Sequence, residues 1–402
     1  MHSVGTQAGY TYRNRYALEG SLRFDSGRVP HALPVSQSVV NPALQATWHA
    51  GNETFLATRG WLSQLDVWAG VGATSNLGRQ YEQSYLRYST PTANGYSDLR
   101  IINSSHTLQH DAGLRAAWRR WLTLEASVYQ RRTTETPIKG LMSRNFPATE
   151  VTNQGLEASL SATWPGHKLT GRTTLAAAFQ KNRFRVPENL LYRANEQQWL
   201  INGQPMSAFY GYRYLGPDAA TGAPTYLSTA NNSLAYEVLG SGLPRQLFNL
   251  TQEVAYGRWQ LQLQADAMGG YQVYNQALHK LDSPDGFVFN GSRRMLMRWT
   301  PNNRSTDVPA ANTSMLRTFS SYQLQPGDHA RLTALILRYK AWSKAEREIT
   351  VWAGGHNLLV LSRYRGFDPN VSSGGSAGTQ AGLDLGAYPV PRTVVLGVQA
   401  TL

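Results

Sequence analysis

Residues 388–402, YPVPRTVVLGVQATL, set the tightest limit on what this chain can fold into. From Thr393 onward, Val394, Leu396, Val398, Ala400 and Leu402 are apolar, whereas Thr393, Gly397, Gln399 and Thr401 are small or polar; Val395 alone departs from the rule. Side chains of a strand point to opposite faces with a period of two, so the segment predicts a strand with one apolar and one wet face. An amphipathic strand of this length at the end of the sequence suits the closing strand of a membrane barrel. A soluble sandwich can end the same way, so the signal must recur elsewhere to decide.

It recurs. In WLTLEASVYQRRT (121–133), Leu122, Leu124, Ala126 and Val128 oppose Thr123, Glu125, Ser127, Tyr129 and Arg131. In NQGLEASLSATW (153–164), Leu156, Ala158, Leu160, Ala162 and Trp164 oppose Glu157, Ser159, Ser161 and Thr163, and after Pro165-Gly166 the chain returns with Leu169, Leu175, Ala177 and Phe179 opposite Thr170, Arg172 and Thr174. Further on, Trp259, Leu261, Leu263, Ala265 and Ala267 alternate with Gln260, Gln262, Gln264 and Asp266. A buried amide without a partner costs a few kcal/mol, so this polar face predicts a wet interior. Tight turns alternate with long connections, which places all the tight turns at one end of the sheet. The long loops fall at 77–103, 181–244, 271–328 and 362–391, with a helical turn or two conceivable in 187–200 and a short helix at YNQALHKL (274–281). The fold class read from this pattern is all-β: a partial antiparallel up-and-down transmembrane β-barrel of about thirteen or fourteen strands, with long extracellular loops and short periplasmic turns.

Composition agrees. Charged residues are only 16%, so polarity comes from amides, hydroxyls and glycine, while 21 Tyr and 11 Trp fit interfacial girdles. No stretch approaches eighteen consecutive apolar residues, so any membrane span must be β. Cysteine is absent, which excludes a disulfide frame and a thiolate metal site. The net charge of +13 points to an anionic partner such as lipopolysaccharide or acidic glycan; basic residues occur no closer than in pairs, which argues against nucleic acid. The N-terminus shows no secretory signal, although an outer-membrane protein needs one; the expectation is that the chain is the C-terminal portion of something longer.

Several stretches carry a family resemblance. GDHARLTALILRYKAW, VWAGGHNLLVLSRYRGFDPNV and LGAYPVPRTVVLGVQATL resemble, in that order, the C-terminal end of the SusC/RagA-like TonB-dependent transporters of Bacteroidetes outer membranes. NQGLEASLSATW, with Asn153, Gly155 and Glu157, resembles the family's N-K-G-hydrophobic-E strand; GQPMSAFYGYRYLG (203–216) and YRNRYALEGSLRFDSG (12–27) resemble two further segments. The resemblance covers essentially the whole chain. It implies outer-membrane nutrient uptake through a barrel of about 22 strands around a plug, with a SusD-like surface lipoprotein as lid, energy through TonB, and an oligosaccharide or peptide as substrate. It implies no cofactor. Residues 1–402 would be the C-terminal portion of the barrel, with plug domain, TonB box and signal peptide absent. Two departures stand out: the loop after Tyr214 lacks the acidic D-x-N-x-D-G wording, removing a calcium-like site, and Leu402 stands where an aromatic is common.

Candidate chemistry is sparse. Gly374–Gly378 (GGSAG) matches the G-x-S-x-G nucleophile elbow, but that turn needs a strand before it and a helix after it, and here it predicts a flexible loop. His106 and His110 lie about 13 Å apart along a strand, too far for one metal ion. Glu346 and Glu348 read as a solvated rim beside Lys344 and Arg347. The chain is therefore expected not to be an enzyme. Tyr210, Tyr212 and Tyr214 alternate with Gly211 and Arg213 and are candidates to stack on a ligand or to pack on a neighbouring strand. Tyr364, Phe367 and Asp368 are candidates to shape the last loop or to touch substrate or lid. Glu125, Arg131, Arg172, Gln260, Gln262 and Gln264 are the expected lumen-lining set. The alternative readings are a soluble, secreted glycan-binding β-protein and a nonfunctional transporter fragment.

Overall fold

The structure, a computed structural model, describes residues 2–29, 35–57, 60–76, 90–92, 95–97, 105–119, 121–134, 149–186, 191–231, 233–282, 291–311, 318–344, 346–375 and 378–401. Pro30, Pro34, Arg120, Ser376, Ala377, Leu402 and most of the expected 77–103 loop lie outside these residues. The chain divides into two compact units, residues 1–190 and 191–402.

The first unit is a meander of eight long strands, each paired antiparallel with its sequence neighbour: β1 (His2–Tyr12), β2 (Tyr16–Val29), β3 (Val35–Trp48), β4 (Leu62–Asn76), β5 (Ser105–Trp118), β6 (Leu122–Thr134), β7 (Glu150–Trp164) and β8 (Leu169–Arg185). Register turns the alternation of each strand into rows that cross the whole unit. One row, Tyr12–Tyr16–Trp48–Val67–Leu114–Ala126–Ala158–Ala177, is apolar throughout. A row on the other face, Gly9–Glu19–Gln45–Gly70–Asp111–Tyr129–Gly155–Gln180, is small or polar throughout. The apolar rows stay open: Leu156, Leu160 and Trp164 are 43%, 39% and 41% exposed, so no second sheet or helix layer among the described residues covers them. A water-soluble sandwich would bury this face; the arrangement is that of a barrel wall turned toward hydrocarbon.

The second unit carries five long strands, β9 (Gln246–Tyr256), β10 (Trp259–Gly269), β11 (His329–Lys344), β12 (Arg347–Ser362) and β13 (Thr393–Thr401), again paired in chain order. Its apolar row runs Val254–Leu261–Leu337–Ala353–Leu396. Val395, the one exception to the alternation of the last strand, lies opposite Gly354, where the missing side chain leaves room for it on the polar face.

Strands of nine to seventeen residues are long enough to cross a bilayer, which needs about 9–11 tilted residues. Aromatic side chains gather at the short-turn ends. Tyr12, Tyr16, Trp48, Trp61, Trp121 and Trp164 do so in the first unit and Tyr256, Trp259 and Trp342 in the second, all exposed. The turn from Tyr12 to Arg15 has positive φ at Arg13 and Asn14 and closes with Arg15 N–H donating to Tyr12 O at 2.9 Å. Such a turn matches the right-handed twist of the strands it joins.

One irregularity re-aims side chains. In β11 the pairing slips between Leu332 and Ala334, leaving Thr333 as an extra residue against β10, and β12 answers with Asn357 at φ 54°. Beyond the bulge, Arg331 faces Asp266 and His329 faces Met268, on the polar side.

Two expectations need correcting. Residues 187–200 left room for a helical turn or two within a long loop; residues 187–190 lie outside the described set, and Leu191–Arg193 instead pairs with Trp199–Ile201. Asn195 closes that hairpin, its Oδ1 accepting from the backbone of Gln197 (3.0 Å) and Gln198 (2.8 Å), a local bond that competes with helix. The loop expected from 181 begins later, because β8 runs to Arg185 with Asn182 Nδ2 donating to Asn153 Oδ1 at 2.7 Å. The short helix is present as α1 (Gln276–Leu281), capped by Asn275, whose Oδ1 accepts from Leu278 N–H at 2.8 Å.

Tight packing on the polar face gives a test. A Cβ at Gly397 would meet Trp352 at 2.4 Å, and the nearest atoms are all of that ring. Gly397→Val is expected to cost about 1–3 kcal/mol in urea unfolding from lipid vesicles, and Trp352→Ala in the same chain to restore most of it; an additive double variant would contradict the packing.

Candidate functional site

The polar face of the first unit is built from cross-strand partners. Arg115 Nε donates to Glu125 Oε1 at 2.6 Å, and Arg131 Nε donates to Gln109 Oε1 at 2.8 Å while its guanidinium stands 5.3 Å from the Tyr129 ring. Arg172 lies opposite Thr163 on the same face, next to the Ser161–Thr174 hydroxyl pair (2.9 Å). In the second unit, Gln260, Gln262 and Gln264 share a face, with Arg338 Nη1 donating to Gln262 Oε1 at 3.2 Å. Glu125, Arg131 and Arg172 thus stand on the polar face of the first unit, and Gln260, Gln262 and Gln264 on that of the second. Arg115, Gln109 and Arg338, which complete the pairs, were missed because pairing register is not written in one strand alone.

The excursions of the second unit hold a row of rings. Ala208–Tyr212 pairs with Tyr236–Ser241, and Tyr214–Pro217 with Pro224–Tyr226. Centroid separations run Trp199–Tyr210 5.5 Å, Tyr210–Tyr236 5.5 Å, Tyr236–Tyr212 4.2 Å, Tyr212–Tyr226 5.8 Å, Tyr226–Tyr214 6.0 Å and Tyr214–Tyr322 5.0 Å, and the Arg294 guanidinium lies 4.9 Å from the Tyr322 ring. Alternation along 210–214 sends all three tyrosines to this row and Arg213 to the other side, where it pairs with Glu237. Burial, then the neighbouring Tyr236, pushes the Tyr212 phenol up to about 12. Burial raises Tyr214 and Tyr322 further, with Asp307 beside the first and Asp282 beside the second. The three phenols therefore stay neutral at physiological pH.

A charged knot fastens the far end of the row. Asp282, 1% exposed, accepts from Ser292 Oγ, from Arg294 Nη1 at 2.9 Å and from Tyr322 OH at 3.2 Å. Arg294 also pairs with Asp307, whose backbone carbonyl accepts from Tyr214 OH at 2.9 Å. Removing one member of such a buried pair strands the other, which is why knots of this kind fix loop geometry.

The YRGFDPN stretch splits in two. Tyr364 and Asp368 are buried: Tyr364 OH donates to Asp384 Oδ2 at 2.6 Å, and Arg331 Nη2 donates to Asp368 Oδ1 at 2.5 Å. The bulge at Thr333 is what brings Arg331 to that carboxylate. Phe367 is 84% exposed. Asp218, in the loop after Tyr214, turns its Oδ1 onto its own turn, accepting from Ala220 N–H and from Thr221 N–H and Oγ1. Among the described residues no group of three His, Asp or Glu is placed to hold a metal. Ser376 and Ala377 of the GGSAG run are not described, so no geometry attaches to that motif.

No family model matches the chain. It is 24% identical to TonB-dependent receptor P26 of Formosa agariphila over 98% of its own length and 45% of the receptor, and 23% identical to TonB-dependent receptor P3 of the same organism over the same shares. Its fold is shared by solved structures. The RagAB peptide transporter has a TM-score of 0.80 at 20% identity, covering 99% of this chain and 47% of the other; the RagAB importer in its open-open state has 0.81 at 19%, covering 100% and 46%. The chain thus spans about half the length of the proteins it matches.

Burial, then the adjacent Lys280, lowers the His279 imidazole, whose Nδ1 accepts from Gln323 Nε2 at 3.1 Å. A histidine whose folded value is depressed binds fewer protons than in the unfolded chain, so this contact contributes above the ordinary imidazole value of about 6.5 and is lost as pH falls below it. Protection of the amides of residues 318–326, taken relative to their intrinsic exchange rate at each pH, is expected to fall on acidification through that window, and to change little with pH in His279→Gln. On sequence and on fold together, this chain is a homologue of the TonB-dependent receptors, with the fold that the RagAB structures share.

Proposed function

We propose that the chain serves outer-membrane nutrient uptake, as the C-terminal part of the barrel of a SusC-like TonB-dependent importer. The observation that carries this reading is the two-sided wall, with exposed apolar rows on one face and amide and ion-pair rows on the other. In this reading the apolar rows meet outer-membrane lipid, and Glu125, Arg131, Arg172, Gln260, Gln262 and Gln264 line a wet lumen. The remaining length of such a receptor would supply the plug and the contact with TonB. Long loops meet the substrate, an oligosaccharide or peptide, and a SusD-like surface lipoprotein; the peptide class has the support that RagAB is a peptide transporter. The Tyr210–Tyr212–Tyr214 row offers ring faces that suit either class, since sugar rings and peptide side chains both stack on aromatic faces. Phe367 adds an exposed contact, while Tyr364 and Asp368 hold its loop in place. No bond is made or broken in this activity.

Leu160→Arg, on the open face, is expected to cost about 2–4 kcal/mol of folding into vesicles, whereas Gln262→Arg, on the other face, changes it little. Equal tolerance at both positions would sink the two-sided wall. Within an intact receptor, Tyr212→Ala is expected to lower substrate affinity up to about tenfold, as the loss of one stacked ring predicts. Unchanged uptake of labelled peptides and oligosaccharides would remove the row from the substrate path.

A further inference from the structure

The short-turn ends repeat one arrangement, an aromatic ring followed by a cation nearer the tip. In the first unit Tyr12 precedes Arg13, Trp118 precedes Arg119, and Trp164 stands four residues before Lys168. In the second unit Tyr256 stands two residues before Arg258 and Trp342 two before Lys344, with Arg347 opening the next strand. Arg13, Arg119, Lys168, Arg258, Lys344 and Arg347 are all exposed, and none is in an ion pair among the described residues. Acids at these ends are mostly spent. Glu53 is buried and accepts from Tyr16 OH at 2.8 Å, Trp48 Nε1 at 3.2 Å and Arg15 Nη1 at 3.1 Å; Asp66 takes His49, and Glu348 takes Lys340. Among the described residues Glu346 stays exposed, flanked by Lys344 and Arg347, and Glu19 and Glu253 are exposed three residues inside Tyr16 and Tyr256.

We infer that these ends dock on the headgroup layer of anionic phospholipid. The inference rests on the membrane reading above. Interfacial tyrosine and tryptophan settle at headgroup level. A strand rises about 3.3 Å per residue, and counted along the nearer strand of each hairpin these cations stand one to three residues past the level of the ring, about 3–10 Å beyond it. The headgroup layer is about 5–8 Å deep on each side of the hydrocarbon, so most of these cations reach the plane of the phosphates. Guanidinium and ammonium groups donate charge-assisted hydrogen bonds to phosphate oxygens, and arginine can do so with two at once. Cations held at an anionic leaflet enrich acidic over zwitterionic lipid, in proportion to their number and against added salt.

Energy transfer from the girdle tryptophans reads this directly. The protein is reconstituted in phosphatidylcholine vesicles carrying a trace of dansyl-phosphatidylglycerol or of dansyl-phosphatidylcholine. Transfer to the acidic probe is expected to exceed transfer to the zwitterionic one about threefold or more, and the ratio to fall toward one at high salt. Arg13→Gln/Arg119→Gln/Lys168→Gln and Arg258→Gln/Lys344→Gln/Arg347→Gln are each expected to lower the ratio. Lys181→Gln/Arg185→Gln, at the opposite end of β8, is expected to leave it alone. Equal transfer to the two probes in the unaltered protein overturns the inference, as does an equal loss from the β8 control. No transfer to either probe means that the protein does not enter the bilayer, which overturns the membrane reading itself. The salt series on the unaltered protein stands whether or not the variants fold.

Discussion

A strand that crosses hydrocarbon has no water to satisfy its backbone, so every N–H and C=O must find a partner on the next strand. Sequential antiparallel pairing is the simplest way to meet that demand, and both units are built from it. The demand also fixes register. A slip of one residue would carry a whole strand's apolar set to the wet side, and rows such as Trp48–Val67–Leu114–Ala126 would break up at once.

The polar side meets a different constraint. Half-exposed ion pairs such as Arg115–Glu125 contribute little to stability, about 0–1 kcal/mol each. Their effect is to fill the surface with groups that water can wet. Large rings on this side sit over residues without side chains: Trp68 over Gly113, Tyr129 over Gly155, Trp352 over Gly397. Bulk is accommodated by its cross-strand neighbour, which keeps the sheet surface even where an aromatic must be carried.

The wall was legible in the sequence, because period-two alternation in segments such as Leu156–Trp164 is a local signal. So were the turn ends and α1, whose Asn275 cap is written beside it. The excursions were not. The ring row depends on Tyr236 and Tyr322, distant from Tyr212 in sequence, and the Asp282–Arg294–Asp307 knot joins three loop segments that carry no period. Asp368 looked like a loop carboxylate; only register and a bulge reveal Arg331 as its partner.

That bulge has a wider consequence. At Thr333 odd and even positions exchange sides, so β11 read in the alternation of its middle is assigned inside out over its first few residues, where it leaves the preceding loop. One surplus amino acid thus lets a strand spend most of its length as partition and its end as anchorage. Lengthening or shortening the strand by a single residue at that point would unfasten the loop and leave the partition whole.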